Sequence, residues 1–324
     1  MTTYLVTGAA GFIGSAVVRA LLDRGHNVRA LDNLSTGNLV NLEGVLGRID
    51  FRKVDINDAG LLRDCCIGVD CILHQAAIPS VPKSIADPLT SHKANVDGTL
   101  QVLLAARDAA VRRVVYASSS SIYGDTPVLP KKEDMCPNPI SPYSVQKLSG
   151  ELYMASFHRV YGLETVALRY FNVFGPWQNA NSQYSGVLAK FVTLMLKGEA
   201  PTIFGDGKQS RDYTYVDNVV LANILAAEAP AQSVAGKAFN VATGERFDLN
   251  EVVAALRSLT QYSGAVIHGA PRAGDVKHSL ADITAAREAF GYRPVVEFRE
   301  GLRRTVQWYR EQIATAANLS ATAN

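Results

Sequence analysis

The stretch Tyr4-Leu-Val-Thr-Gly-Ala-Ala-Gly-Phe-Ile-Gly14 constrains this chain more than any other. Tyr4, Leu5 and Val6 read as a short buried strand. Gly8, Gly11 and Gly14 then lead into an amphipathic helix with Val17, Val18, Leu21 and Leu22 on its apolar face. A strand, a glycine-rich turn and a helix N-terminus make an anion site: glycines let the backbone approach a pyrophosphate, and the helix amides and dipole favour negative charge. A glycine trio alone is equally compatible with a plain tight turn. The next apolar run, 28–31, ends in Asp32, about 20 residues past the first glycine, where an acid binds an adenosine ribose 2′-hydroxyl. The pair of signals predicts a dinucleotide site, and NAD rather than NADP. The alternative for Asp32 is an acid that caps the following turn.

Short apolar runs alternate with helical patterns through the first half. Residues 51–54 read as a strand ending at Asp55, and 71–74 as one ending at Gln75-Ala76-Ala77. Residues 89–110 have helical periodicity, 113–117 read as a strand, 142–161 as a helix and 165–169 as a strand. This alternation predicts an α/β fold, a Rossmann-type doubly wound parallel sheet. Function then collects at the C-terminal strand ends, and Asp32, Asp55, Gln75, the serine run 118–121 and Asn172 all lie just past a strand. There Asp55 either meets adenine or caps a turn. Beyond residue 173, loops rich in Gly, Pro, Asn and Gln (175–186, 205–210, 270–279) separate helices expected at 187–197, 217–227, 249–259 and 300–310. The expected division is an NAD-binding domain over 1–172, a smaller C-terminal substrate-binding α/β domain over 173–312 with segments returning to the sheet, and a frayed tail over 313–324.

With 324 residues, 48% of them hydrophobic and 19% charged, the chain can bury a sizeable core. A net charge of +2 supplies no basic field for nucleic acid. No apolar run reaches the roughly 18 residues of a membrane span. With a strand and phosphate loop read over residues 1–14, no leader is expected. Cys65, Cys66, Cys71 and Cys136 lack metal-ligand spacing and read as reduced core thiols. A cytoplasmic protein without a metal is expected.

Tyr143 and Lys147 lie four apart on the helix expected after Pro142, so they share a face. A lysine beside a phenol favours the phenolate, which would lower the Tyr143 pKa and make it a general base. Taken alone, the pair also fits a solvated helix face. A hydroxyl of the serine run upstream either bridges substrate and tyrosine or belongs to a loop or helix cap.

Thr7-Gly-Ala-Ala-Gly-Phe-Ile-Gly14, Asp32-Asn-Leu-Ser-Thr-Gly37, residues 118–124, Tyr143-Ser-Val-Gln-Lys147 and Leu168-Arg-Tyr-Phe-Asn172 stand in the order of the extended short-chain dehydrogenase/reductases. Over nearly its whole length the chain resembles the nucleotide-sugar 4-epimerases. The resemblance implies tightly held NAD that takes hydride from C4 of a UDP-hexose. Tyr143 then removes the 4-hydroxyl proton with help from Ser119. Lys147, together with the positive nicotinamide, lowers the Tyr143 pKa, and the 4-keto sugar turns over before hydride returns. The resemblance puts the amides of Phe12 and Ile13 on the pyrophosphate, and Asp55 and Ile56 at adenine. Asn33, Ser35, Thr36, Gly37, Gln75, Ala76, Ala77, Asn95 and Tyr170 become further cofactor positions. It puts Asn172, Arg211 and Arg272 on the substrate diphosphate, where a planar guanidinium binds bidentately. Ile203 and Phe204 lie against uracil, and Asp275 on a ribose. Ser80, Ser121, Gly186, Val187 and Ser279 fall in the substrate pocket.

Ser279 matches a site that is a bulky tyrosine in epimerases restricted to UDP-glucose and UDP-galactose. A serine leaves volume for a 2-N-acetyl group, so UDP-N-acetylglucosamine and UDP-N-acetylgalactosamine are the expected substrates, with the plain hexoses also accepted. Pro79 departs from the N-acetyl-preferring subgroup, where a glycine can line the sugar pocket. Alternatives within the family are a UDP-uronate 4-epimerase, using the serine run or Lys83 around C6, and a UDP-glucuronate decarboxylase. A non-enzyme alternative is an NAD-sensing binding protein. The resemblance also implies a homodimer formed by the 89–110 and 142–161 helices, with Leu148, Leu152 and Phe157 offering an apolar face.

Overall fold

The computed structural model describes residues 1–179, 186–271 and 277–322, with side chains described through residue 315. Strands β1 (Thr3–Thr7), β2 (Asn27–Asp32), β3 (Asp50–Lys53), β4 (Cys71–His74), β5 (Arg113–Ser119) and β6 (Glu164–Tyr170) join Lys237–Val241 in one sheet. All its pairings are parallel, in the order β3-β2-β1-β4-β5-β6 and then Lys237–Val241. The chain builds outward from β1 to β3, then restarts at β4 on the other side of β1. The crevice at that reversal is where a doubly wound sheet binds ligands. The seventh strand comes from the second half of the sequence, so the two halves share a single sheet.

Helices α1 (Phe12–Asp23), α2 (Ala59–Cys66), α3 (Val81–Ala86), α4 (Pro88–His92), α5 (Gly98–Asp108), α6 (Pro142–Tyr161), α7 (Val187–Leu196) and α8 (Val216–Glu228) follow in chain order. The sheet is buried on both faces. Tyr4, Val6, Leu73, Val115 and Leu168 pack with Val17 and Leu21 of α1 and Val219 of α8. Their strand neighbours Leu5, Ile72, Val114 and Ala167 pack with Leu62 of α2, Leu103 of α5 and Met154 of α6. Side chains alternate across a strand, so two covered faces require the continuous apolar runs seen in the sequence.

The expected 89–110 helix is interrupted. Lys93–Asp97 forms a π-helical turn between α4 and α5, and such turns often re-aim side chains at functional sites. Here it buries Asn95, whose Oδ1 accepts from Ile78 N at 2.7 Å and whose Nδ2 donates to Gln146 Oε1 at 2.8 Å. Helix α6 starts where Pro142 and a Ser141/Ser144 capping box dictate, and ends at Gly162 with φ 71°. The C-terminal helix runs Phe298–Thr322, so the segment expected to fray is helical as far as Thr322. Its alanines are the best helix formers. Cys65, Cys66 and Cys71 are buried, but Cys136 is exposed, contrary to the expectation of a core thiol. It lies in an irregular stretch between β5 and α6, where its neighbour Met135, not the cysteine, packs inward. Among the described residues, no helix is long and apolar enough to cross a membrane.

Candidate functional site

A cavity of about 880 Å³ opens along the C-terminal ends of the strands. Gly8, Gly11, Phe12, Ile13 and Gly14 line one part of it. Gly8 has φ 66°, and a β-carbon on Gly14 would sit 2.1 Å from the Gly8 carbonyl oxygen, so glycine is required to bring turn and helix this close. The amides of Phe12, Ile13 and Gly14 precede the first hydrogen bond of α1, Ser15 N to Gly11 O at 3.0 Å. They are therefore available to an anion, with the helix dipole behind them.

Asp32 is buried and accepts hydrogen bonds from Ala10 N (2.9 Å) and Leu34 N (2.8 Å). Burial raises its pKa, and these two bonds oppose the rise. It thus caps the following turn, and it also lines the cavity with Asn33, Ser35 and Thr36. Gly37 lies behind that wall, where its β-carbon would meet Asp32 Oδ2 at 2.8 Å. Asp55 caps as well, accepting from Asn57 N and Asn33 Nδ2, each at 2.8 Å, and it lines the cavity beside Ile56. The glycine cradle, the free amides and the carboxylate at the end of β2 together fit the pyrophosphate and adenosine ribose of NAD. Gln75, Ala76, Ala77 and Tyr170 continue the wall. Asn95 stands one layer behind, holding Ile78.

Ser119, Tyr143 and Lys147 meet further along the same cavity. Lys147 is buried and donates to Ala117 O at 2.7 Å. The half-buried Tyr143 side chain lines the cavity beside Ser119, which acts to lower its pKa. Ser119 Oγ also accepts from Ser121 N at 3.2 Å, so the serine is both cap and cavity hydroxyl. Burial pushes the Lys147 pKa down to about 7. Burial also raises the Tyr143 pKa, with only the Ser119 hydrogen bond pulling the other way. The expectation that Lys147 by itself lowers the Tyr143 pKa is therefore corrected. Desolvation of the phenolate dominates, and the same burial weakens the lysine as a cation.

At the substrate end, Asn172 adopts φ 31° and donates to Asp212 O (3.0 Å) and Ser279 Oγ (3.2 Å). Ser80, Ser121, Gly186, Arg211 and Pro79 line the main cavity. An adjoining cavity of about 260 Å³ shares Asn172, Gly186 and Arg211, and is also lined by Val187 and Phe204. Ile203 is buried and lies outside both lining sets. It alternates with Phe204 on a strand and so points to the core. Arg272 and Asp275 lie outside the described residues. Among the described residues, no group of His, Cys, Asp and Glu is placed to hold a metal ion.

Sequence reading missed several buried polar groups around this cavity. Asn223 of α8 bonds Gln75 Nε2 (2.9 Å) and the Tyr170 hydroxyl (2.8 Å), tying two lining residues to the second half of the chain. Asp212, fully buried, accepts from Thr243 N, Gly244 N and Ala281 N, and burial raises its pKa to about 6. Glu151 and Arg169 form a buried pair beside Lys147. Only Glu151 carried a readable signal, being one helical turn beyond Lys147.

Residues 4–242 match the NAD dependent epimerase/dehydratase family. A UDP-glucose 4-epimerase of Mycolicibacterium smegmatis is 41% identical over 314 residues, covering 95% of this chain and 98% of that protein. The crystal structure of a UDP-glucose 4-epimerase with UDP-glucose from Thermotoga maritima matches with a TM-score of 0.92 at 38% identity, covering 96% of this chain and 100% of that one. A UDP-N-acetylglucosamine 4-epimerase from Methanobrevibacter ruminantium, in complex with UDP-N-acetylmuramic acid, matches with a TM-score of 0.91 at 41% identity, covering 96% and 99%.

Proposed function

The chain belongs to the NAD-dependent epimerase/dehydratase family, and from that premise we propose that it interconverts the C4 epimers of UDP-N-acetylhexosamines, accepting UDP-glucose and UDP-galactose as poorer substrates. The observation that carries the chemistry is the convergence of Ser119, Tyr143 and Lys147 on the cavity that begins at the glycine loop. NAD, when bound, supplies the acceptor for the C4 hydride and its source on return. Tyr143 takes the 4-hydroxyl proton through its contact with Ser119 and later gives it back. Lys147, anchored on Ala117 O, places its cation one turn from the phenol and offsets the developing phenolate charge. Asn172 and Arg211 hold the UDP end, so the sugar alone turns between the two half-reactions.

The N-acetyl preference rests on Ser279. Its Oγ accepts from Asn172 Nδ2 (3.2 Å) and Asp212 N (3.4 Å), which leaves its own proton to donate to an acyl oxygen. The neighbour from Methanobrevibacter ruminantium, whose ligand is also N-acetylated, supports the same reading. A second reading, a UDP-uronate 4-epimerase, is favoured by Ser121, whose hydroxyl is buried at the cavity with no partner among the described residues. The assembly follows as a homodimer. Ile85 of α3, Leu89 of α4 and Leu152 of α6 are exposed apolar residues on packed neighbouring helices. Phe157, expected on that face, is in the core instead, because it points toward the sheet. The deciding experiment incubates purified protein separately with UDP-N-acetylglucosamine, UDP-glucose and UDP-glucuronate, without added reductant, and separates the products by chromatography. UDP-N-acetylgalactosamine forming fastest is the expected result. Faster UDP-galactose, or conversion of the uronate alone, would overturn the substrate assignment.

A further inference from the structure

On α6, Tyr143, Lys147 and Glu151 stand at successive i, i+4 positions, so they form one ladder along the face that meets the sheet. Glu151 is 7% exposed, and two groups from the strands converge on it. Arg169 of β6 grips it bidentately, Nε to Oε1 at 3.0 Å and Nη2 to Oε2 at 2.8 Å. Ser118 of β5 donates its hydroxyl to Oε1. Arg169 is held in turn by the Tyr123 hydroxyl (2.8 Å) and Glu133 O (3.2 Å). The position of Ser118 gives this cluster a function. Its predecessor Ala117 supplies the carbonyl that anchors Lys147, and its successor Ser119 lines the cavity beside Tyr143 and acts to lower its pKa. One carboxylate therefore ties the strand end that carries both contacts to the helix that carries both partners.

We propose that Glu151 is a positioning residue for proton transfer, fixing the end of β5 against α6 and keeping an anion one helical turn from the Lys147 ammonium. This rests on the reading of Tyr143 as the base. The buried charges then alternate: phenolate when formed, Lys147, Glu151, Arg169. Burial alone lowers the Lys147 pKa, and the charge of Glu151 works against that fall. The other groups facing Lys147 are the Tyr116 ring from β5, 4.8 Å from Nζ, and His74 from β4, which burial keeps neutral. Neither supplies negative charge, so the carboxylate is the compensating anion. Glu133 bonds Arg169 through its carbonyl, and its carboxylate, which accepts from Asn240 N at 2.7 Å, also feels that guanidinium.

The test compares wild type, Glu151→Gln and Ser118→Ala as NAD-loaded proteins. It measures kcat and KM across pH, NAD content, and the ultraviolet phenolate absorbance of Tyr143, taken by difference against the matching Tyr143→Phe background. With about 6 Å between groups one turn apart and partial screening by Arg169, loss of the anion moves the alkaline limit set by Lys147 about one pH unit lower. The Tyr143 phenolate midpoint rises, and kcat near neutrality falls about tenfold with KM changed less than about threefold. Ser118→Ala keeps the ion pair and loses only the tie, so kcat falls with the pH limits unmoved. Glu151→Gln with wild-type pH limits and phenolate midpoint overturns the proposal, as does an effect on KM alone. If Glu151→Gln does not fold, full kcat in Ser118→Ala overturns it. If wild type turns over no nucleotide sugar, the proposed function fails, while the phenolate titration still decides the role of Glu151.

Discussion

Replacing Gly14 by alanine tests how the cofactor loop is built. The added β-carbon would lie 2.1 Å from the Gly8 oxygen and 2.8 Å from its carbonyl carbon. That is more than about 1 Å inside the roughly 3.3 Å at which a C–H···O contact is tolerated. Gly8 has no room to retreat, since its own side faces the Ala76 backbone, where a β-carbon would stand 2.7 Å from the nitrogen. Helix α1 is equally fixed, because Val17, Val18 and Leu21 are fully buried. Overpacking of this kind costs about 1–3 kcal/mol, against a helix-propensity gain for alanine of less than about 1 kcal/mol. The displaced groups are the amides of residues 12–14, so about 2 kcal/mol is expected to appear as NAD affinity, roughly 30-fold weaker. NAD content after purification and thermal unfolding with and without added NAD measure it. Gly47→Ala is the control. Its β-carbon meets nothing within 4 Å, and it is expected to hold or raise stability by about 0.5 kcal/mol. Wild-type NAD content and stability in Gly14→Ala would show that the loop yields freely, and that the close approach of residues 8 and 14 does not build the site.

Tyr143→Phe is expected to lower kcat by about 10²–10⁴ while NAD content stays at the wild-type level, and full activity would remove Tyr143 as the base. Ser279→Tyr is expected to cut kcat/KM for UDP-N-acetylglucosamine at least about tenfold while sparing UDP-glucose, as read from parallel progress curves. His74 sits between the Thr7 and Thr99 hydroxyls, and burial pushes its pKa down to about 3 from an ordinary 6.5. Below pH 6.5 the unfolded chain therefore binds a proton that the folded chain refuses, so stability falls as pH drops from 6.5 toward 3. His74→Asn is expected to flatten that slope in denaturant titrations. Leu152→Glu puts a charge on the exposed face of α6 and is expected to yield monomers by sedimentation, whereas an unchanged dimer would place the interface elsewhere.

The sheet and the dinucleotide end were legible because their signals are local. A strand buried on both faces needs a continuous apolar run, and a backbone approaching a phosphate needs glycine, whatever the rest of the chain does. Residues 71–74 and 142–161 were read with the bounds the structure has, since a buried strand, a proline and a capping serine are all visible in a few residues. The interruption at Lys93–Asp97 was not legible, because a π turn preserves helical periodicity on either side and shows itself only through where Asn95 points. The direction of the Tyr143 pKa shift was not legible for a related reason. Sequence spacing fixes which side chains share a face, but desolvation depends on what covers that face. Here β5 and β6 cover it with Tyr116, Ser118 and Arg169, from strands widely separated in the chain. The polar groups that organise the site are the same case. Glu151 with Ser118 and Arg169, Asn223 with Gln75 and Tyr170, and Asp212 with Thr243 and Ala281 each join elements that only the folded sheet brings together. Burying such groups is tolerable only when every partner arrives, and Asn223, bonded to Gln75 and Tyr170, thereby couples the cofactor half of the site to the second half of the chain more tightly than the loose loops of that half suggest.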